Sequence, residues 1–303
     1  MLPKITLEQW ATFKAVVDEG SFAKAAERLN KSQSSVSYII SRLENQLPAP
    51  ALMPEGRKAV LTEAGKLLYR HASNLLLQAT QIENIANYIA RGWETEITIA
   101  VDALVPINKV FCALHAFSTE HPQPRINVLE TTLSGTDEAV LFRKADIVLS
   151  PTVVTGFMGI ALGSVTMRYV ASPEHPLIKL DRPIHEDDMK QYRQIVIKDS
   201  GIKRQRDAGW LGSEQRWSFS HISSSIEAAK AGLGFANLPL DSIKHELHSG
   251  QLVPLNMASN IQRSVQLYLI KTAQTNTGPA IEALSKRLLT SLSNNNDVEH
   301  NGF

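Results

Sequence analysis

The sequence lacks the features that mark secreted, membrane-spanning and many catalytic proteins. Its 303 residues include one cysteine, Cys112, which excludes an internal disulfide and fits a reducing compartment. The first residues lack the apolar core of a signal peptide, and no run of 18 apolar residues suggests a membrane span. We therefore expect a cytoplasmic protein with no membrane contact.

Neither positive nor negative charge predominates in the sequence, because the net charge is only +1. Any contact with a nucleic acid must therefore be local. The nine histidines accompany no G-x-S-x-G nucleophile motif, and no cofactor fingerprint occurs. We predict no catalytic residues, no metal site and no cofactor. Cys112 stands beside Ala113 and Leu114 in an apolar run, so we expect a buried, unreactive thiol.

Three short helices are predicted within the first sixty residues. Thr6 with Gln9 is typical of a capped helix start, and Gly20 of a helix end. Ser21 and Ser32 can cap the next two helices, whose apolar residues recur at helical spacing. Two short helices joined by a short turn are typical of a helix-turn-helix.

The third predicted helix carries short polar side chains opposite its apolar stripe. An exposed helix face normally carries long Glu and Lys side chains, whereas hydroxyl, amide and phenol groups can approach base edges and phosphates closely. This surface favours DNA binding, although a helical hairpin with a serine-rich face would have the same spacing. Its residues are Gln33, Ser34, Ser37, Tyr38, Ser41 and Arg42.

A family resemblance favours DNA binding over a simple helical hairpin. Residues 13–47, "FKAVVDEGSFAKAAERLNKSQSSVSYIISRLENQL", resemble the winged helix-turn-helix of LysR-type transcriptional regulators, and "LTEAG" (residues 61–65) resembles the exit of their wing. The resemblance implies contacts with double-stranded DNA. The implied DNA-binding residues are Ser21, Lys31, Ser32, Gln33, Ser34, Ser37, Tyr38, Arg42, Arg57 and Lys58.

Two departures from the family pattern concern DNA reading. The position of Tyr38 is often Arg in the family, so a different operator preference is expected. The wing usually reads L-F-x-R, but "ALMP" (residues 51–54) ends on Pro54. Because proline lacks an N–H and fixes φ, we expect a shortened or distorted wing strand.

A proline-free stretch follows at residues 62–91 and carries a heptad repeat. Such a seam packs either on the chain's own domains or, as the resemblance implies, on a second copy. A homodimer or homotetramer would then read a pseudo-palindromic operator with half-sites about one helical turn apart. The seam consists of Leu68, Ala72, Leu75, Ala79, Ile82, Ala86 and Ile89.

The remaining chain alternates predicted strands and helices, which indicates an α/β fold with a doubly wound sheet. The resemblance implies a two-lobed effector-binding domain similar to periplasmic binding proteins, and "ARGWETEITIAVDALVP" resembles the YhaJ-like subgroup. "GWLGSEQRW" (residues 209–217) is interpreted as a loop. The predicted divisions are a head (1–62), a linker (63–92), lobe I (93–166 and 269–293), lobe II (167–268), crossover strands near 167–172 and 267–272, and a disordered tail (294–303).

Ligands of such sheets bind beyond the carboxyl ends of the strands or between lobes. This rule predicts an effector site made of Asp102, Ala103, Leu104, Val105, Ser150, Pro151, Thr152, Asp199, Ser200, Ser223, Ser224 and Ser225. The three serines could instead be helix caps only. Asp102 would repel an anion unless paired, which favours a neutral, aromatic or hydroxylated ligand, or no ligand at all. The effector itself is not identified by the sequence.

The main prediction is therefore a LysR-type regulator controlled by a small molecule. A regulator without an effector is the alternative. An enzyme is disfavoured because no nucleophile–base set appears, and a solute-binding protein is disfavoured by the N-terminal helices.

Overall fold

The structure is a computed structural model that describes residues 3–55, 58–203, 205–258, 263–273 and 277–293. For residues 54, 55, 58 and 59 it describes the backbone alone. The chain divides into two compact units, residues 1–91 and 92–303. Arg57 and the predicted tail at 294–303 lie outside the described residues.

The first unit begins with the three helices that the capping signals predicted. They are α1 (Leu7–Glu19), α2 (Phe22–Arg28) and α3 (Gln33–Glu44). Thr6 and Gln9 form a reciprocal capping box, and Gly20 ends α1 with φ +67°, a conformation that favours glycine. Ser21 and Ser32 accept the N–H groups of residues three positions later. The predicted capping of all three helices is confirmed.

Small side chains let the three helices approach closely. Ala25 and Ala26 of α2 are buried against a core that includes Phe13 of α1 and Leu43 of α3, both with no exposed surface. Because this core is small, each buried side chain contributes strongly, and a Leu→Ala change at such a site costs about 2–5 kcal/mol.

The described strands of the wing pair without the distortion that was one of the two outcomes expected from its proline, and each strand is four residues long. Strands β1 (Leu52–Glu55) and β2 (Lys58–Leu61) pair antiparallel, with Pro54 opposite Ala59 and no shift in register. The hairpin has two strands only, so a proline at its edge removes no bond from a third strand. The carboxylate of Glu44 anchors its entrance by accepting the N–H groups of residues 51 and 52 at 3.0–3.2 Å.

The linker is one helix, α4 (Glu63–Ala90), capped by Thr62. Its first heptad differs from the prediction. Leu68 and Ala72 pack on the core of the first unit, because this end of α4 lies against α1. Farther along, the apolar side chains are solvent-exposed in the single chain: Leu75 by 43%, Ile82 by 68% and Ile89 by 54%. Leu67 and Ile85 lie on the same exposed side of the helix and widen the apolar stripe.

The second unit is built on a mixed sheet. Its described strands are β3 (Glu96–Asp102), β4 (Arg125–Thr131), β5 (Ile147–Ser150), β6 (Gly159–Ala171), β7 (Gln194–Ile197), β8 (Arg216–Phe219), β9 (Phe235–Pro239), β10 (Val253–Pro254) and β11 (Ser264–Lys271). They follow the order β4-β3-β5-β11-β6-β9-β7-β8, and β10 pairs with β6. Neighbouring strands are parallel within β4-β3-β5 and within β9-β7-β8, whereas β11 and β6 run antiparallel between these triplets. The α/β two-lobed prediction is thus confirmed, with one parallel triplet in each lobe.

Lobe I packs helices against the first triplet around Ile99, Phe117 and Leu284. Lobe II packs one layer of helices on each face of the second triplet. Lobe I contains β3 (Glu96–Asp102), α5 (Ile107–Glu120), β4 (Arg125–Thr131), α6 (Ser134–Leu141), β5 (Ile147–Ser150) and α10 (Pro279–Ser293). Lobe II contains α7 (Glu186–Lys190), β7 (Gln194–Ile197), β8 (Arg216–Phe219), α8 (Ile222–Lys230), β9 (Phe235–Pro239), α9 (Lys244–His248) and β10 (Val253–Pro254).

Two strands, β6 (Gly159–Ala171) and β11 (Ser264–Lys271), connect the lobes. The predicted second crossover near 267–272 is wrong, because residues 268–271 pair with β5 inside lobe I. The lobes meet earlier, where the Met167 N–H donates to the Arg263 carbonyl at 3.0 Å. Leu267 therefore belongs to the core of lobe I.

Two further expectations are wrong. Cys112 is exposed, because the buried stripe of α5 runs through Val110, Ala113 and Phe117 and leaves residue 112 outside it. The segment interpreted as a loop ends in a strand, since Arg216 and Trp217 begin β8. Among the described residues, no helix combines the length and apolar character needed to cross a bilayer.

Candidate functional sites

The predicted reading face of α3 is open to solvent along its length. Gln33, Ser34, Ser37, Tyr38 and Arg42 are all exposed, and 67% of the Tyr38 surface is accessible. The opposite side of α3 is buried in the core of the first unit. The exposed face holds one cation and otherwise neutral hydrogen-bonding groups, a composition suited to contact with base edges.

Three of the other predicted DNA contacts, Ser21, Lys31 and Ser32, already have partners within the first unit. Ser21 and Ser32 use a hydroxyl lone pair to cap helices, at 3.3 and 3.2 Å. Lys31 donates to the Glu8 carboxylate at 2.5 Å, so its charge is partly neutralised. Arg57 and the side chain of Lys58 are outside the described part of the chain.

A cavity of about 850 Å³ lies between the lobes of the second unit. Six predicted effector residues line it. Lobe I contributes five of them at the ends of β3 and β5, and lobe II contributes one after β7. They are Asp102, Ala103, Leu104, Pro151, Thr152 and Asp199.

The other predicted effector residues do not line the cavity. Val105 is 3% exposed within the lobe I core, and Ser150 is fully buried, with its hydroxyl accepting the Thr152 N–H at 3.1 Å. Ser200 faces Thr132 instead, accepting its N–H at 2.8 Å.

The predicted serine anion site at α8 is also not part of the cavity. Ser223 and Ser224 are exposed in the first turn, and Ser225 is buried, with its hydroxyl donating to the His221 carbonyl at 3.3 Å. They are not helix caps either, because His221 occupies the N-cap position. The serine pattern predicted a helix N-terminus correctly, but a sequence pattern cannot indicate which end of lobe II that N-terminus faces.

Asp102 is not a free charge at the cavity wall. It is 2% exposed and accepts the Thr136 hydroxyl at 2.6 Å and the Leu104 N–H at 3.0 Å. Burial raises the pKa of the Asp102 carboxyl, and these hydrogen bonds oppose the shift. Its capacity to repel an anion is therefore weaker than the sequence suggested.

Asp199 joins the two lobes. It accepts the Ser134 hydroxyl of lobe I at 2.5 Å and the Gly201 and Arg206 N–H groups of lobe II at 2.8 and 2.6 Å. Burial alone raises the pKa of Asp199, but these hydrogen bonds outweigh it and hold the pKa below its ordinary value. Arg206 also pairs with Asp137 of lobe I at 3.2 Å.

Sequence reasoning missed most of the polar residues of lobe II that line the cavity. They come from β7, β9, the unpredicted β8 and the connecting segments, and not from strand ends alone. They are Gln194, Lys198, Arg206, Asp207, Arg216, Ser218, Asn237 and Arg263. The register between strands identifies those on β7, β8 and β9, and only the tertiary fold places those in the connecting segments.

Comparisons with known protein families cover both units. Residues 7–66 match the bacterial regulatory helix-turn-helix protein of the lysR family, and residues 90–293 match the LysR substrate binding domain. The chain belongs to the LysR family. It is accordingly a LysR-type DNA-binding transcriptional regulator with a substrate-binding domain.

Two LysR-type relatives from Escherichia coli K12 are similar over most of their length. The HTH-type transcriptional regulator YeeY is 30% identical over 244 residues, covering 79% of each chain. The probable HTH-type transcriptional regulator YhaJ is 29% identical over 253 residues, covering 82% of this chain and 85% of that protein. The predicted resemblance to YhaJ-like members of the LysR family thus agrees with the whole-chain comparison.

Two solved LysR-type structures share the fold. The virulence activator AphB of Vibrio cholerae has a TM-score of 0.54 at 19% identity, covering 95% of this chain and 99% of its own. CrgA of Neisseria meningitidis has a TM-score of 0.54 at 20% identity, with 95% and 99% coverage. The LysR family consists of transcriptional regulators rather than enzymes.

Proposed function

We propose that this LysR-type regulator binds a pseudo-palindromic operator as a homodimer or homotetramer, and that a small molecule between its lobes changes that binding. The observation that carries the proposal is the cavity of about 850 Å³ with walls from both lobes. A ligand that touches both walls binds better when the lobes are in one arrangement, so it shifts the population of lobe positions.

Reading of the operator is assigned to the open face of α3. Gln33 is suited to adenine, the serines to either bases or phosphates, and Arg42 to guanine or phosphate. Ser21, Lys31, Ser32, Arg57 and Lys58 are assigned to the phosphate backbone.

Self-association is assigned to the exposed stripe of α4. Leu75, Ile82 and Ile89 recur every seven residues and are each at least 43% exposed. Burying them against a second helix removes apolar surface from water at about 25 cal/mol per Å². Ala79 and Ala86, which complete the predicted seam, would allow close approach of the two helices.

The DNA assignment is tested with the full chain and a pool of random duplexes. We expect enrichment of a pseudo-palindromic site, and Gln33→Ala should lose about 1–3 kcal/mol of discrimination at one adenine position of each half-site. Gln78→Ala is the matched control, since Gln78 is also an exposed helical glutamine but lies on α4. Equal specificity of both variants would contradict the assignment.

The assignment of the wing residues Arg57 and Lys58 to phosphate contacts is tested by the salt dependence of DNA affinity. Replacing both Arg57 and Lys58 by Ala should weaken binding to every duplex and reduce the salt slope of log K by roughly 2. An unchanged slope would show that neither side chain contacts phosphate.

Ligand control is tested by thermal unfolding and by operator affinity in the presence of small molecules. A ligand that binds the folded state raises Tm, and one that shifts the lobes also changes the operator Kd. A regulator with no effector remains the second candidate. It is favoured by the direct bonds from Ser134 to Asp199 and from Thr132 to Ser200, which join the lobes without a ligand.

A further inference from the structure

The lobe II wall of the cavity has a chemical character that indicates the class of ligand. We propose that it binds a small organic anion that also carries an O–H or N–H donor, such as a hydroxy acid. This inference rests on the proposed effector function and deepens it by naming the ligand class.

Strand register places the polar residues of this wall on one face of the sheet. Gln194 of β7 lies directly opposite Arg216 of β8, and Val196 lies opposite Ser218. Because directly paired residues point to the same side and alternate residues share a face, Lys198 joins this group. Asn237 follows two residues after Phe235, the partner of Gln194 on β9, and so faces the same way. The opposite face is packed against α8.

Three cations on this wall are available to a ligand. Lys198, Arg216 and Arg263 line the cavity, and within the described ranges none of them has an ion pair. Lys198 and Arg216 are exposed to the cavity solvent. Guanidinium and ammonium groups both bind carboxylates and phosphates, the guanidinium in a bidentate geometry.

The acidic groups nearby cancel only part of this charge. Hydrogen bonds hold the pKa of Asp199 below its ordinary value, so it stays an anion at neutral pH, whereas burial raises the pKa of the Asp102 carboxyl. Asp207 is the remaining acid among the described lining residues, and Arg206 is a fourth cation there. Four cations against three carboxylates leave the described lining a small excess of positive charge, which raises the local concentration of anions.

Two acceptor oxygens on the same wall have no donor in the part of the chain that the structure describes. Gln194 is 3% exposed, and its amide nitrogen donates to the Trp210 carbonyl at 2.7 Å, which leaves Oε1 facing away from that bond. Gln194 Oε1 and Asn237 Oδ1 are buried, and neither has a hydrogen-bond partner among the described residues. A buried acceptor without a donor is costly, so a side-chain rotation that turns such an oxygen toward a ligand hydroxyl or amine in the cavity is favoured.

The two features together select the ligand class. The cations favour an anion over a neutral molecule, and the free carbonyl oxygens favour a donor on the same molecule. The expectation of a neutral ligand depended on a free Asp102 charge, which the structure does not provide.

The test is thermal unfolding of the full chain with matched probes, each at about 10 mM so that weak binding still raises Tm. One triplet is malate, succinate and dimethyl malate, which are an acid with a hydroxyl, an acid without one and a neutral ester. A second triplet is mandelate, phenylacetate and methyl mandelate. Glycerol 3-phosphate with glycerol separates phosphate from carboxylate. We expect the largest rise from an acid with a hydroxyl, a smaller rise from its deoxy partner and the smallest from the neutral partner.

Variants connect the effect to the wall. Arg216→Gln should weaken the best acid about 10- to 100-fold, as expected for loss of a hydrogen bond to a charged group. Gln194→Met should reduce the preference for the hydroxylated acid over its deoxy partner. Arg125→Gln is the matched control, because Arg125 also opens an exposed strand end, but on β4 and outside the cavity lining. The ligand-free Tm of each variant reports whether it is folded.

Different failures are distinguishable. If neutral partners raise Tm as much as their acids, or no acid raises it while neutral compounds do, the inference is overturned and ligand control stands. Equal binding of the acid by Arg216→Gln and Arg125→Gln also overturns it. If no compound of any class raises Tm while specific operator binding persists, ligand control itself fails, and the inference fails with it.

Discussion

Gly135 lies at a contact between the lobes, and we predict that Gly135→Ala lowers stability there, although helix propensity alone would predict a gain in stability. Gly135 is the second residue of α6, and a glycine inside a helix is normally destabilising by about 0.5–1 kcal/mol relative to alanine. In this structure a Cβ at Gly135 would lie 2.0 Å from the Ser200 hydroxyl oxygen and 2.9 Å from the Ser200 carbonyl carbon. Ser200 belongs to lobe II, so the added methyl group would push the lobes apart.

The magnitude follows from the contacts that must change. Rotation of the Ser200 hydroxyl away from the methyl group loses the bond from the Thr132 N–H, which is 2.8 Å long and worth about 1 kcal/mol. The remaining backbone overlap adds an overpacking cost of about 1–3 kcal/mol. After subtracting the gain in helix propensity, Gly135→Ala should destabilise the second unit by roughly 2 kcal/mol, which lowers its Tm by roughly 4–8 °C.

The assay is calorimetry of the full chain, with a double-mutant cycle as the control. Ser200→Gly removes the hydroxyl and Cβ that the new methyl group would meet, so Gly135→Ala should cost less in that background. An equal cost in both backgrounds would place the cause elsewhere. A higher Tm for Gly135→Ala alone would refute the reasoning, because helix propensity would then outweigh the contact.

Three further predictions concern the wing, the linker and the hydrogen bonds by which Asp199 joins the lobes. Gly65→Ala should destabilise the first unit by about 2–3 kcal/mol, measured by chemical unfolding, because its Cβ would lie 2.0 Å from the Ala51 carbonyl oxygen, which cannot rotate away. Ile82→Glu should abolish self-association in sedimentation experiments without lowering monomer stability, since 68% of this side chain is exposed; an unchanged assembly would exclude the seam. Asp199→Asn should lower Tm at neutral pH. Because the pKa of Asp199 is depressed below 3.8 in the folded chain, its contribution is present above that value and is lost as the pH falls through the folded pKa. The difference in Tm between the unchanged chain and Asp199→Asn should therefore shrink from about pH 7 to about pH 3. A constant difference would contradict a stabilising role of the ionised Asp199 carboxylate between the lobes.

The sequence predicted the first unit well because its signals are local. A cap and its partner lie three residues apart, as for Thr6 and Gln9, so the sequence contains both halves of the interaction. The reading face of α3 follows from helical period alone, and the exposed positions of Gln33, Ser37 and Arg42 agree with it. The first heptad of α4 was assigned wrongly because periodicity cannot say which neighbour covers Leu68.

By itself the sequence determined the order of helices and strands, the two units and the family, since these depend on periodicity, capping and motif spacing. Only the tertiary structure decided which polar groups meet in the cavity. Asp102 became a buried, hydrogen-bonded group because Thr136 folds over it, and Ser223–Ser225 were placed away from the cavity. Arg216 and Gln194 are 22 positions apart, and the register of two parallel strands brings them side by side. Such pairing depends on long-range packing, which no local pattern records.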